Sequence, residues 1–152
     1  MEDNIGTMVA QVARLMRRAF DERARKIGVT RPQWQVLSLL ERHAGINQGG
    51  LADILEVEPI TLGRMIDRLQ EADLVERRAD PADRRAWRLH LTTKGEELMR
   101  LLQPHARETI AAMMEGVDED ARAQLRASLD RMRANLSRRG PSEPAMGEIA
   151  DG

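Results

Sequence analysis

Apolar positions recur along this chain first with helical spacing. Ile5, Met8, Val9, Val12, Leu15, Met16, Ala19, Phe20 and Ile27 share one face of a helix predicted over about residues 3–26, with Gly28 ending it. Thr30 reads as the N-cap of a second helix. Gln33 is its capping-box partner three residues on, and Val29 and Trp34 occupy the two staple positions. Leu37 and Leu40 continue the buried face, and Gly45 marks the end. Asn47 caps a short third helix through Leu55, although Gly49 and Gly50 weaken its first turn. A break at residues 56–58 leads to a fourth helix, which opens with Pro59, where a missing amide costs nothing, and runs to about Ala72. At about 100° per residue, Leu62, Met65, Ile66 and Leu69 fall on one side of it. Ile60, Thr61, Arg64, Asp67 and Arg68 fall on the other.

The period then switches to two. Strands are expected at 75–78 and 87–91; in the second, Trp87, Leu89 and Leu91 alternate with Arg88 and His90, so Trp87 reads as core, as Trp34 does from its staple position. Asp80-Pro81-Ala82-Asp83 between them is turn chemistry, with proline presetting its backbone angle and the aspartates capping locally. Thr92 or Thr93 caps a fifth helix, Thr93 with Glu96 as a capping box, and Pro104 is expected to kink it. Asp118 starts a sixth helix whose Leu125, Leu129, Met132 and Leu136 form a stripe. Residues 139–152 lack periodicity and read as a disordered tail. The fold class is therefore mainly α with a small β wing: a winged helix-turn-helix over about 30–91, with about six helices and a two- to three-stranded sheet. It lies in a single domain of residues 1–138. The long helices at about 3–27 and 93–138 carry more apolar surface than a small core needs, which implies a partner subunit.

Composition narrows the function. At 152 residues the chain suffices for one domain with its own core. With 24 basic and 25 acidic residues the net charge is −1, so affinity for nucleic acid has to come from a local cluster. The absence of cysteine excludes disulfides, thiol redox sensing and cysteine-ligated metal. His43, His90 and His105 match no metal spacing, and no nucleophile–base pair or phosphate loop occurs, so neither an enzyme nor a cofactor or metal is expected. No run is apolar enough to span a membrane and no signal segment is recognisable, so no membrane partner and a cytoplasmic location are expected. The methionines on helical apolar faces read as adaptable filler. Charge does concentrate between residues 77 and 88: Arg77, Arg78, Arg84, Arg85 and Arg88 against Asp80 and Asp83 leave that stretch locally basic by three. Arginines on a stiff two-stranded tip suit the narrow, negative minor groove of DNA.

Residues 68–98, RLQEADLVERRADPADRRAWRLHLTTKGEEL, resemble the MarR family of bacterial transcription regulators, SlyA-like members included. They follow that family's order of helix, L-V-x-R, D-P-x-D-R-R wing and L-T-x-K-G, and the likeness extends from about Ile5 to Leu136. The resemblance implies an obligate homodimer interlocked through the first, fifth and sixth helices. Its two reading helices would enter successive major grooves of a pseudo-palindromic double-stranded operator. It further implies a repressor relieved by a small aromatic or anionic effector bound between the dimerisation helices and the winged domain, located in the cytoplasm and on the nucleoid when bound to DNA. Two departures stand out. Asp73 occupies a position where the family usually has glycine, and the reading helix opens with Ile60 and Gly63 where many members carry hydroxyls, so no operator sequence carries over.

Within that frame Arg85 is the minor-groove candidate, braced by an ion pair from Asp83, and Arg84 the phosphate contact, unless the two exchange roles; the alternative is a solvated turn. Arg64 is the base-reading candidate, because a bidentate arginine–guanine pair is the commonest specific contact. Thr61 would meet phosphate or a thymine methyl, Ile60 a thymine methyl, and Arg68 phosphate, with Asp67 pairing to a neighbouring arginine. Arg14, Arg17 and Trp34 form a weaker effector-binding set, against solvent or interface salt bridges for the arginines and core for the indole. The competing function is a winged-helix interaction scaffold that does not bind DNA.

Overall fold

The computed structural model describes residues 4–138. In chain order it contains α1 (Ile5–Lys26), α2 (Arg31–Arg42), α3 (Gln48–Leu55), α4 (Pro59–Glu71), β1 (Val75–Ala79), β2 (Trp87–Leu91), α5 (Thr93–Met113) and α6 (Glu119–Ser137). The mainly helical winged architecture expected from the pattern is borne out. The chain falls into two compact units, one ending at Thr109 and the other starting at Ile110. The proposed tail at 139–152, and Asp3 at the expected start of α1, lie outside the described residues.

Local chemistry starts most helices where the caps stand. Thr7 N donates to Asn4 Oδ1 at 2.9 Å, Gly50 N to Asn47 Oδ1 at 2.7 Å and Ala121 N to Asp118 Oδ1 at 2.8 Å. The Thr30–Gln33 capping box forms, with Thr30 N donating to Gln33 Oε1 at 2.9 Å. Each such cap satisfies an amide that has no partner within its helix, a contribution of about 1 kcal/mol. At α5 the capping differs from the expected Thr93–Glu96 box. The Oγ1 of Thr92 accepts from Gly95 N at 3.0 Å and donates to the Asp73 carbonyl at 2.5 Å, while Thr93 is already the first helical residue. One hydroxyl thus caps the helix and ties it to the α4–β1 turn. The helix then continues through Pro104 to Met113.

The central core joins Val36, Leu37 and Leu40 of α2, Leu51 and Ala52 of α3, Leu62, Ile66 and Leu69 of α4, and Leu74, Val75 and Leu89 around the sheet. Burying each large aliphatic side chain stabilises the fold by roughly 1.5–3 kcal/mol. A second cluster, Ala24, Val29 and Leu102 with Phe20, Trp34, Leu98 and Met99 against it, joins α1 and α2 to α5. There the rings of Phe20 and Trp34 meet edge-on at 4.9 Å, a favourable aromatic geometry. Outside these clusters the apolar faces are uncovered within one chain. Ala24 is the buried residue of α1, whereas Ile5, Met8, Val9, Val12 and Leu15 are exposed. Taken by itself, α6 buries none of its residues, and Leu125, Leu129, Met132 and Leu136 face outward.

The wing is an antiparallel pair in the register Val75↔Leu91, Arg77↔Leu89 and Ala79↔Trp87. Its other edge is stitched to the loop before α3: Leu89 N donates to Ile46 O and Gly45 N to Leu89 O, both at 2.9 Å, with a bridge between Asn47 and Arg88. The sheet is thus two strands plus this single bridge. Two backbone features set the approach of the wing to the helices. Asp73 adopts a left-handed conformation (φ 59°), which aspartate tolerates better than most residues. At Gly95, an added Cβ would lie 2.2 Å from the Leu74 carbonyl oxygen, so α5 can start against this turn only without a side chain.

Candidate nucleic-acid interface

The buried stripe of α4 determines what the helix presents outward. With Leu62, Ile66 and Leu69 in the core, Ile60, Thr61, Arg64, Asp67 and Arg68 are all exposed, Ile60 to 73%. Pro59 at the first helical position leaves this face open from the first turn.

The five arginines of the finger separate into two groups. Arg77 follows the inward alternation of Val75 and turns back onto the helices. Its Nε donates to Gln48 Oε1 at 3.3 Å, Nη1 to Gln70 Oε1 at 2.9 Å and Nη2 to the Gly63 carbonyl at 3.2 Å. The same guanidinium pairs with Asp67 at 2.7 Å, and its side chain is only 18% exposed. Arg77 therefore ties β1 to α3 and α4. Arg78 pairs with Glu76, and Arg88 with Asp80 at 3.2 Å. The remaining two, Arg84 and Arg85, stand exposed at the tip, and among the described residues no hydrogen bond or ion pair engages either guanidinium.

The turn that carries them is built by aspartates, as the sequence predicts. Ala82 N donates to Asp80 Oδ1 at 2.8 Å and Arg85 N to Asp83 Oδ1 at 2.9 Å, while Asp80 N reaches Ala86 O at 3.2 Å and closes the finger. The amide of Ala82, with Arg88 beside it, holds the Asp80 carboxyl below its ordinary range. The expected Asp83–Arg85 ion pair is corrected here: Asp83 grips the amide of Arg85. A short carboxylate two residues upstream closes readily on the backbone, and that bond engages the Asp83 oxygen.

Trp87 departs from the expected core position. Alternation places it on the same sheet face as Leu89, yet it is 48% exposed, because the core ends at Leu89 and the residue across from Trp87 is the small Ala79. Trp34 is half-buried and already committed: its Nε1 donates to Asp21 Oδ1 at 2.8 Å, and Arg31 pairs with the same carboxylate. Burial works to raise the Asp21 pKa, but the hydrogen bonds from Arg31 and Trp34 and the charges of Arg31 and Arg25 outweigh it and hold the carboxyl below its ordinary value. Among the described residues no hydrogen bond or ion pair joins Arg14 or Arg17 to Trp34. A surface recess of about 390 Å³ lies elsewhere, lined by Asp73, Glu76, Arg78, Thr92, Lys94 and Glu96 among others.

Arg77 was within reach of the sequence. The L-V-x-R alternation puts it on the face of Val75, and a cation there needs partners. Which partners, Gln48, Gln70 and the Gly63 carbonyl, depends on how three elements meet, and no spacing encodes that.

A sequence model of the MarR family matches residues 29–87, the segment from just before α2 to the first residue of β2. Among solved structures, the chain is similar to a MarR transcriptional regulator from Methanosarcina mazei Go1, at 29% identity over 88% of this chain and 96% of that one, with a TM-score of 0.78. It is similar to the transcriptional regulator SlyA at 25% identity over 90% and 96% of the two chains, with a TM-score of 0.74. A MarR variant from E. coli in complex with operator DNA matches at 26% identity over 84% of this chain and 92% of that one, with a TM-score of 0.71. The likeness to MarR and SlyA regulators holds along most of the chain, and the fold is that of a MarR-type transcription regulator.

Proposed function

We propose, from the premise of a MarR-family winged-helix regulator, that this protein is a sequence-specific binder of double-stranded DNA. It works as a homodimer on a pseudo-palindromic operator and represses until a small aromatic or anionic effector releases it. One observation carries the reading most. Of five wing arginines, three are held by carboxylates, and the two that are left, Arg84 and Arg85, occupy the tip of a finger that Arg77 clamps to α4. A rigid cationic tip beside an exposed helix face carrying Thr61, Arg64 and Arg68 suits a duplex, where guanidinium groups enter a narrow minor groove and a helix reads the major groove. Arg84 and Arg85 serve the wing contact, with Asp83 shaping the turn; Arg64 reads bases, Thr61 and Arg68 meet phosphate, and Ile60 meets a thymine methyl.

Pairing of subunits follows from apolar surface. Ile5, Met8, Val9, Val12 and Leu15 on α1, and separately Leu125, Leu129 and Met132 on α6, are large apolar side chains left in water by one chain, and surfaces of that kind mark association sites. The effector assignment rests on family likeness, with Arg14, Arg17 and Trp34 as its candidate contacts. Family likeness also argues against catalysis.

Selection of bound duplexes from a random pool, followed by affinity measured against salt, tests the proposal. The expected result is an inverted-repeat site whose log affinity falls steeply with log salt. No duplex affinity at low ionic strength would overturn it and favour an interaction scaffold.

A further inference from the structure

Trp87 is the large side chain that the proposed DNA contacts leave without a task. It stands on the same sheet face as Leu89 and, through the register, as Arg77 and Ala79. That face is the one from which Arg77 reaches Gly63, Asp67 and Gln70 of α4, so it is the side of the finger turned toward the reading helix. Along β2, Trp87 lies two residues beyond Leu89 toward the tip, about 7 Å at the ordinary rise of a strand. Leu89 is fully buried, whereas Trp87 is 48% exposed, and its opposite number Ala79 is too small to cover the ring. The only aromatic pair among the described residues is Phe20 with Trp34, so no ring packs on Trp87. Arg84 and Arg85, with unengaged guanidinium groups, precede it by three and two residues.

An uncovered indole is a large apolar surface with one N–H donor at its edge, a combination favoured at binding hot spots. Beside two free cations, the chemistry complementary to it has an apolar surface next to anionic groups. The deoxyribose–phosphate backbone offers that alternation, with sugar faces for the ring and phosphates for the guanidinium groups.

We propose that Trp87 is a further DNA-contacting residue, whose indole packs on the sugars of the backbone flanking the minor groove at the Arg84–Arg85 tip. This rests on the proposed DNA-binding function. The indole adds affinity without neutralising a phosphate and without reading a base. Its signature is therefore weaker binding to every duplex when it is removed, with an unchanged salt slope and an unchanged preferred site.

The chain has two tryptophans and no tyrosine, which makes the test direct. The full-length protein and its Trp87→Phe and Trp87→Ala variants are titrated with the duplex selected from the random pool and with an unrelated duplex. Acrylamide quenching of tryptophan emission is followed in parallel. The expected results are a loss of about tenfold in affinity for both duplexes in Trp87→Ala, with parallel salt plots, and a smaller loss in Trp87→Phe, which keeps a ring. In the unsubstituted protein, quenching should fall when duplex is added, and this protection should vanish in Trp87→Phe. If the unsubstituted protein binds duplex while Trp87→Ala binds equally well and Trp87 stays quenchable in the complex, the inference fails and DNA binding survives. If the unsubstituted protein binds no duplex, the proposed function falls first. Protection of Trp87 on dimerisation alone, or by small aromatic acids without DNA, assigns the ring to another occupant and overturns the inference. Should Trp87→Ala misfold, the Trp87→Phe titration and the protection experiment still decide it.

Discussion

Arg77 and Asp67 meet at 2.7 Å where β1 crosses α4, and this pair holds the wing at a set angle to the helix beside it. The guanidinium also donates to Gln48, Gln70 and the Gly63 carbonyl, so one side chain bridges three elements. Replacing Arg77 by alanine removes an ion pair and several charge-assisted bonds to α3 and α4. The expected cost is about 1–3 kcal/mol of stability, read as a lower urea midpoint at unchanged slope. An unaltered midpoint would show that the bridge is ornamental.

On the proposed function, the guanidinium groups at the tip serve DNA binding and not the fold. Arg85→Ala, and separately Arg84→Ala, should weaken duplex binding several-fold while leaving thermal stability and oligomeric state unchanged. For whichever of the two meets phosphate, the slope of log affinity against log salt should become shallower by about one for each phosphate no longer neutralised. A variant lacking both side chains that binds as well as the parent would remove the wing from the DNA interface.

Arg64 is proposed to differ from the tip by reading bases. Arg64→Ala should relax base preference at one position in each half-site and cost about 1–3 kcal/mol in each subunit. Selection of bound duplexes measures this, and an unchanged site preference would exclude Arg64 as a base reader.

Gly95 carries a steric prediction independent of function. A Cβ there would meet the Leu74 carbonyl oxygen at 2.2 Å, and a backbone atom cannot rotate out of the way. Gly95→Ala should cost about 1–3 kcal/mol, toward the upper end of overpacking, in contrast to the mild gain alanine usually brings inside a helix. A neutral or stabilised variant in thermal melts would contradict the close approach of α5 to the α4–β1 turn.

Acid should loosen the packing between α1 and α2. Burial opposes ionisation of Asp21, but the hydrogen bonds of Arg31 and Trp34 prevail and lower its pKa in the folded chain. The charged carboxylate then contributes stability in full above the unfolded value near pH 4 and loses it as pH falls through the lower folded value. Asp21→Asn should be less stable than the parent at pH 7, with the gap narrowing toward pH 3. Urea midpoints at several pH values decide this, and parallel curves would refute the assignment.

Element starts were legible in the residues because each is a local event. Thr30 with Gln33, Asn47, Pro59 and Asp118 act on amides within one turn, and the aspartate turn closes on its own backbone. The two faces of α4 were equally legible, since a period of 3.6 separates Leu62, Ile66 and Leu69 from Arg64 and Arg68 without reference to anything distant.

Other features depended on neighbours far along the chain. Alternation assigned Trp87 the correct face of β2, but the core stops at Leu89 and only packing places that limit. Charge counting found five arginines, yet which of them remain available turned on Asp67, Glu76 and Asp80 lying within reach in the folded molecule. The hydroxyl of Thr92 caps α5 instead of the Thr93–Glu96 box because it also reaches the Asp73 carbonyl across the α4–β1 turn. From sequence alone, then, came the helices, the strands, the turn and the direction each side chain faces, all set by short-range sterics and hydrogen bonding. Tertiary structure decided which of those faces is covered and which charge is neutralised, because burial and ion pairing join residues that the chain keeps far apart.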